Sequence, residues 1–210
     1  MTGWWGGFDA DPVVRQAMIY GASQDPYELG QALDVIAAAE PQVIVEIGCD
    51  RGGTLFAWRS VCERVYGITL EDNGRETGGS SLALETHGAT VLRGDSHDPA
   101  SLEWLAGELA GAPIDALVID GDHSPVGVRT DVAMYGPLVR TGGGLILLHD
   151  VTPSTDPRSR VWEVWPEVAG SWAHDEIHNP EGGFGWGVIY PVGDPVPVVD
   201  YSPPPLSGWG

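Results

Sequence analysis

Lysine is absent from the 210 residues: all ten basic side chains are arginine, set against 30 aspartates and glutamates for a formal net charge of −20. A chain this poor in positive charge repels phosphate backbones and anionic headgroups over a Debye length of roughly 8–10 Å. Nucleic acids and membrane surfaces are therefore not expected partners. Cysteine is scarce as well. Cys49 and Cys62 form no Cys-x-x-Cys pair and are too few for a disulfide framework, so they read as buried thiols of a reducing compartment. No apolar run approaches the ~20 residues of a membrane span. The opening MTGWWGGFDADP carries acid where a secretion signal needs base, and no apolar stretch follows it. The expected location is the cytoplasm.

What is present is a globular composition, 42% hydrophobic against 19% charged, at a length that suits one domain with a sizeable core. Strand, glycine turn and helix recur. The pattern predicts strands at 42–47 (QVIVEI), 64–70, 89–93, 114–120 (IDALVID) and 144–148, with helices at 54–62, near 81–86, at 98–110 and at 125–139. Short apolar runs alternating with helical stretches are the mark of a parallel sheet covered on both faces. After residue 150 the rhythm changes, to a helix at 160–168 and strands at 171–177 and 185–190, with Asn179-Pro-Glu-Gly-Gly183 inviting an antiparallel turn. The expected architecture is α/β: a Rossmann-like, doubly wound, mostly parallel seven-stranded sheet with an antiparallel C-terminal strand. Residues 1–40, with a helix at 27–39, form an N-terminal helical segment, either a lid or a dimer contact. Residues 41–192 form the main domain and 193–210 a proline-rich tail.

The first strand ends in Glu46-Ile47-Gly48-Cys49-Asp50-Arg51-Gly52-Gly53. A dinucleotide fold wants Gly-x-Gly-x-x-Gly here and a P-loop wants Gly-Lys-Ser/Thr; neither is present. Any tight strand-to-helix turn would also use such glycines. The third strand runs into Arg93-Gly94-Asp95-Ser96, where Ser96 also suits an N-cap for the helix that follows. The fourth ends in Asp120-Gly121-Asp122-His123-Ser124-Pro125, the fifth in Leu148-His149-Asp150. Ser124 and Pro125 are explained as a cap and first-turn pair. Asp120, Asp122 and His123 are not, and they stand where open α/β sheets bind ligands. If the fourth and fifth strands are neighbours, Asp120 and Asp150 face each other across one strand spacing of ~4.8 Å, and such a pair requires a proton or a cation between its carboxylates. Oxygen donors favour Mg²⁺, Mn²⁺ or Ca²⁺ over zinc.

The first of these motifs resembles motif I of class I methyltransferases, E-x-G-x-x-x-G. IDGDHS followed by GGGLILLHD (142–150) is similar to the macrocin O-methyltransferase and cephalosporin-hydroxylase-like group. The resemblance covers roughly residues 40–190 and is specific over 116–150. It implies an S-adenosylmethionine-dependent O-methyltransferase acting on a small-molecule hydroxyl, plausible as a homodimer. Its cofactor residues would be Glu46, Gly48, Cys49 and Gly52 at the methionine end, Glu71 at the ribose with Asp72 as substitute, Asp95 and Ser96 at the adenine, and Asp120. Thr69 stands where the family commonly has its ribose acid. The resemblance further implies Mg²⁺ on Asp120, His149 and Asp150, although His149 replaces an acidic residue of the closest metal users. His123 would be the general base, in place of the lysine of catechol-type relatives, with Asp122 beside it as an alternative anchor for the ring. Two other readings fit: an oxidative enzyme of the cephalosporin-hydroxylase type, with Asp120, His123 and His149 composing a ferrous triad, and a cofactor-binding module without turnover. Trp4, Trp5 and Trp186 are candidate walls of the acceptor pocket. His174 and His178 read as surface residues of one strand.

Overall fold

The computed structural model describes residues 11–70, 84–170 and 172–192. Helices α1 (Pro12–Ile19) and α2 (Pro26–Ala38) precede β1 (Ile44–Ile47). Then follow α3 (Gly53–Arg59), β2 (Val65–Thr69), β3 (Thr90–Arg93), α4 (Pro99–Leu109), β4 (Ala116–Ile119), α5 (Pro125–Tyr135), β5 (Leu145–His149), α6 (Trp165–Ala169), β6 (Ala173–Ile177) and β7 (Trp186–Tyr190). The strands form one seven-stranded sheet in the order β3-β2-β1-β4-β5-β7-β6. All pairs from β3 to β5 are parallel, and β7 runs antiparallel to both of its neighbours. The chain starts mid-sheet at β1, works outward to β3, and returns to β4 on the other side. The carboxyl ends of β1 and β4 therefore flank the topological switch point, the crevice where such sheets bind ligands.

Period-two alternation divides the core into two layers. Val45, Ile47, Leu117, Ile119, Ile146 and Leu148 pack with Leu105, Val132 and Val164 on the face covered by α4, α5 and α6. Ile44, Val65, Val118, Leu147 and Val188 pack on the opposite face with Leu29, Ile36, Leu55 and Trp58 of α2 and α3. Each such side chain contributes about 1.5–3 kcal/mol by leaving water. Four helices begin alike, with a short polar side chain capping the first turn and proline at its first position. Asp11 accepts from Val13 N (2.6 Å), Asp25 from Tyr27 N (2.9 Å), Asp98 from Ala100 N (2.9 Å) and Ser124 from Gly127 N (3.0 Å).

Several expectations are corrected. The Asp11–Pro12 pair starts a helix, α1, that the apolar pattern of so short a segment did not reveal. The cap of α4 is Asp98, not Ser96, because the Asx bond to Ala100 takes up the orphan N–H. The expected helix at 160–168 divides into a 3₁₀ turn (Val161–Glu163) and α6, since Pro166 has no N–H to carry a helix through. Residues 84–86 are not helical; the rest of that expected helix lies outside the described residues, as do Glu71, Asp72, Trp4, Trp5 and the tail from 193. Asp120 is opposite His149 rather than Asp150, because Ile119 pairs with Leu148.

Candidate active site

At the switch point the backbone brings three turns together. Asp120 N donates to Ile47 O (2.9 Å) and Gly48 N to Ile68 O (2.9 Å), so the β1, β2 and β4 ladders run one residue past the strands. Gly48 has φ +89°, and a Cβ there would lie 2.2 Å from the Asp120 carbonyl oxygen; only glycine lets the β1–α3 turn close against the end of β4. Below this turn Glu46 is buried. Its Oε1 accepts from Trp58 Nε1 (3.0 Å), while Oε2 is buried without a hydrogen-bond partner. Burial pushes the Glu46 pKa up to about 8, against the pull of the indole. The Cys49 thiol is buried beside it, points to Glu46 O (3.7 Å), and is raised well above an ordinary thiol by burial and the neighbouring carboxyl.

Four ionisable side chains meet at the ends of β4 and β5. His149 Nδ1 lies 3.0 Å from Asp120 Oδ1 and 3.0 Å from Asp150 Oδ1. His123 Nδ1 lies 2.6 Å from Asp150 Oδ2, and its Nε2 lies 3.2 Å from Asp120 Oδ1. Asp150 reaches both rings from a left-handed backbone, φ +67°, a conformation that aspartate tolerates better than most residues and that clusters at functional sites. Burial opposes every charge in this cluster, yet the pairing outweighs it. The imidazoles hold Asp120 and Asp150 well below the usual carboxylate range. The carboxylates push His123 up to about 11 and His149 up to about 9. His149 is inside, its ring 4.6 Å from that of Trp186, and its Nε2 is buried without a partner. His123 is the accessible one, with 29% of its side chain exposed.

The expected residues Asp120, His123, His149 and Asp150 are thus brought together. His123 is anchored by Asp150 and Asp120, not by Asp122, which accepts from Ser124 N (2.9 Å). Trp186 is fully buried in the core instead of lining a pocket. His174 and His178 are at the surface on β6 and just after it, and His178 pairs with Glu176 and Thr152. Asp95 forms a turn with His97 N (2.9 Å), and Ser96 O accepts from Tyr135 Oη (2.6 Å).

Three residues of consequence escaped the sequence reading. Gln24, between α1 and α2, donates from Nε2 to Asp120 Oδ2 at 2.5 Å while its Oε1 accepts from Ser23 N (3.0 Å). Glu28, fully buried in α2, accepts from Asn179 N (3.0 Å) and Gly185 N (3.1 Å) in the β6–β7 loop. Asp131, fully buried in α5, lies 3.3 Å from His97 Nε2 and raises the pKa of His97. No local motif marks any of these; the one available signal is an acid, Glu28 or Asp131, at an apolar position of a helix. Among the described residues no group of three or more His, Cys, Asp or Glu side chains is arranged as a metal site; the carboxylates of the cluster face its imidazoles.

A family model described as a methyltransferase domain matches residues 45–151. Demethylmacrocin O-methyltransferase of Streptomyces fradiae is 32% identical over 102 residues, which are 48% of this chain and 23% of that protein. Mycinamicin VI 2''-O-methyltransferase of Micromonospora griseorubida is 31% identical over 102 residues, with the same shares. The match thus spans about a quarter of the length of either relative. Among solved structures, the MycE methyltransferase of mycinamycin biosynthesis, in complex with Mg, SAH and mycinamycin VI, superposes with a TM-score of 0.59 at 17% identity, covering 88% of this chain and 54% of that one. The O-methyltransferase TomG of Streptomyces achromogenes, in complex with SAM, gives 0.60 at 17% identity, covering 87% and 91%. At these identities the two structures establish the fold.

Proposed function

The chain belongs to the methyltransferase-domain family of S-adenosylmethionine-dependent enzymes, and on that premise we propose that it methylates a hydroxyl of a small molecule at the Asp120–His123–His149–Asp150 cluster. The observation that carries this proposal is the meeting of two carboxylates and two imidazoles at the switch point, against the turn of motif I. S-adenosylmethionine supplies a methyl group on a sulfonium. The turn from Gly48 to Gly52 with Cys49 receives its methionine end, supported from within by the buried Glu46. Glu71 serves the ribose, and Asp95 and Ser96 serve the adenine. Asp131 and Tyr135 brace that last loop from α5 through His97 and Ser96 O.

Two carboxylate oxygens bracket one positive nitrogen, His149 Nδ1, at equal distances of 3.0 Å, and a hard divalent cation would have to displace the proton of that nitrogen to take its place between them. Asp120, Asp150 and His149 are the residues that would hold Mg²⁺, which would act as a Lewis acid and lower the pKa of an acceptor hydroxyl. Of the two imidazoles, His123 is the base, because it alone has an accessible edge. Asp150 holds its Nδ1 proton and so leaves Nε2 to take the proton of the hydroxyl. With both carboxylates still upon it, His123 is protonated at neutral pH; it acts as a base once Asp120 Oδ1 has turned from Nε2, with Asp150 Oδ2 still holding Nδ1.

The test is transfer of labelled methyl from S-adenosylmethionine to a panel of hydroxylated acceptors, sugar and phenolic. We expect His123→Gln to lose at least about 100-fold of the transfer rate with cofactor affinity unchanged. Transfer by His123→Gln at the wild-type rate removes His123 as the base.

A further inference from the structure

Among the described residues, the large hydrophobic side chains left in solvent are Ile19, Leu70, Val126, Phe184 and Val192. Three of them lie on the edge of the sheet that carries the ionisable cluster. Leu70 follows β2, Val126 lies three residues beyond His123, and Phe184 precedes β7, whose first residue pairs with His149. Phe184 is the aromatic member of the set. It is 43% exposed, and its ring centroid is 6.4 Å from that of His149.

Its exposure is built in. Phe184 O accepts from Thr152 N (2.8 Å), Gly185 O from Asp150 N (3.0 Å), and Glu28 holds the loop by Asn179 N and Gly185 N. Asn179 Nδ2 also donates to Asp25 Oδ2 (3.1 Å), which ties the loop to the start of α2. A fully buried carboxylate thus fixes a turn that keeps a phenyl ring in water. The chain forgoes the gain from burying an aromatic side chain, which a molecule bound against the ring would recover. The same loop hydrogen-bonds Asp150 directly, so ring and carboxylate are set by one turn.

Resting on the methyltransferase assignment above, we infer that Phe184 is the apolar wall of the acceptor subsite, and that the acceptor is a hydroxylated molecule with a planar, apolar face and no net negative charge. A ring can stack offset or edge-on against Phe184 with centroids 4.5–7 Å apart, while its hydroxyl reaches the cluster. The formal charge of −20 turns anionic acceptors away.

The experiment is saturation-transfer NMR on the full chain loaded with S-adenosylhomocysteine in MgCl₂ buffer, with catechol and methyl glucoside as probes. Wild type is compared with Phe184→Ala, Phe184→Tyr and, as a control on the opposite sheet edge, Val192→Ser. Catechol is expected to bind wild type, Phe184→Tyr and Val192→Ser alike, and Phe184→Ala about tenfold more weakly. Methyl glucoside is expected to give no signal. Catechol binding that is absent, or unchanged in Phe184→Ala, overturns the inference, and so does preference for the glucoside. A wild-type chain that takes up no S-adenosylhomocysteine overturns the methyltransferase assignment itself, so the two failures are told apart.

Discussion

Gln24 decides which oxygen of Asp120 is available. Its own Oε1 accepts from Ser23 N, which fixes the amide and turns Nε2 onto Asp120 Oδ2, leaving Oδ1 for the two imidazoles. Gln24→Leu leaves a buried carboxylate oxygen without its donor. We expect about 1–3 kcal/mol lower stability in urea titrations and slower methyl transfer at unchanged cofactor affinity. Equal transfer rates would assign Gln24 to folding alone. Glu46 makes a second claim at this scale. Its folded pKa of about 8 stands above the ordinary 4.5. Between those values the folded chain holds a proton that the unfolded chain has released, so stability is full below pH 4.5 and falls as pH rises toward 8. Urea titrations at pH 5 and pH 8 should show wild type losing more than Glu46→Gln, by an amount on the order of a few kcal/mol. Identical losses would place a charged Glu46 in the resting protein.

At the scale of elements, the segment from Ser23 to Glu28 acts as a brace. Within six residues it reaches Asp50 after β1 (Ser23 Oγ to Oδ2, 3.3 Å), Asp120 after β4, and Asn179 and Gly185 in the β6–β7 loop. Removing Glu28 frees two backbone N–H groups of that loop. Hydrogen exchange in Glu28→Ala should therefore quicken at Asn179 and Gly185 first, while amides of β1 and β4 keep most of their protection; uniform acceleration would mean that Glu28 supports the fold as a whole. This brace was illegible in the sequence. The strands could be read because each is a local apolar run, and the Ser124–Pro125 start of α5 because its cap is local. The four clustered residues could be read because Asp120 and His123 share one strand end while His149 and Asp150 share the next. Gln24 lies 96 positions from Asp120, and Glu28 lies 151 from Asn179; pairs so distant leave no periodic trace. The register of β4 against β5 was hidden for a related reason. Apolar runs such as ALVI and LILL slide past one another without penalty in the pattern, and only the paired backbone puts His149, not Asp150, beside Asp120.

For the molecule as a whole, the excess of acid matters most. Net charge of −20 on a compact chain is self-repulsive, and salt screens it, so Tm should rise between 20 mM and 500 mM NaCl. A fall would mean that the surface ion pairs such as Arg129–Glu167 outweigh the repulsion. Within that excess the switch-point crevice keeps a locally balanced cluster of two acids and two imidazoles. On the function proposed above, that crevice is divided between a cofactor turn at β1 and a chemical cluster at β4 and β5. Titration calorimetry with S-adenosylmethionine, with and without Mg²⁺, on wild type and Asp120→Ala tests it most directly. Micromolar binding to both proteins is the expected result, with Asp120 serving the chemistry and not the hold on the cofactor. No binding to wild type under either condition would contradict the account.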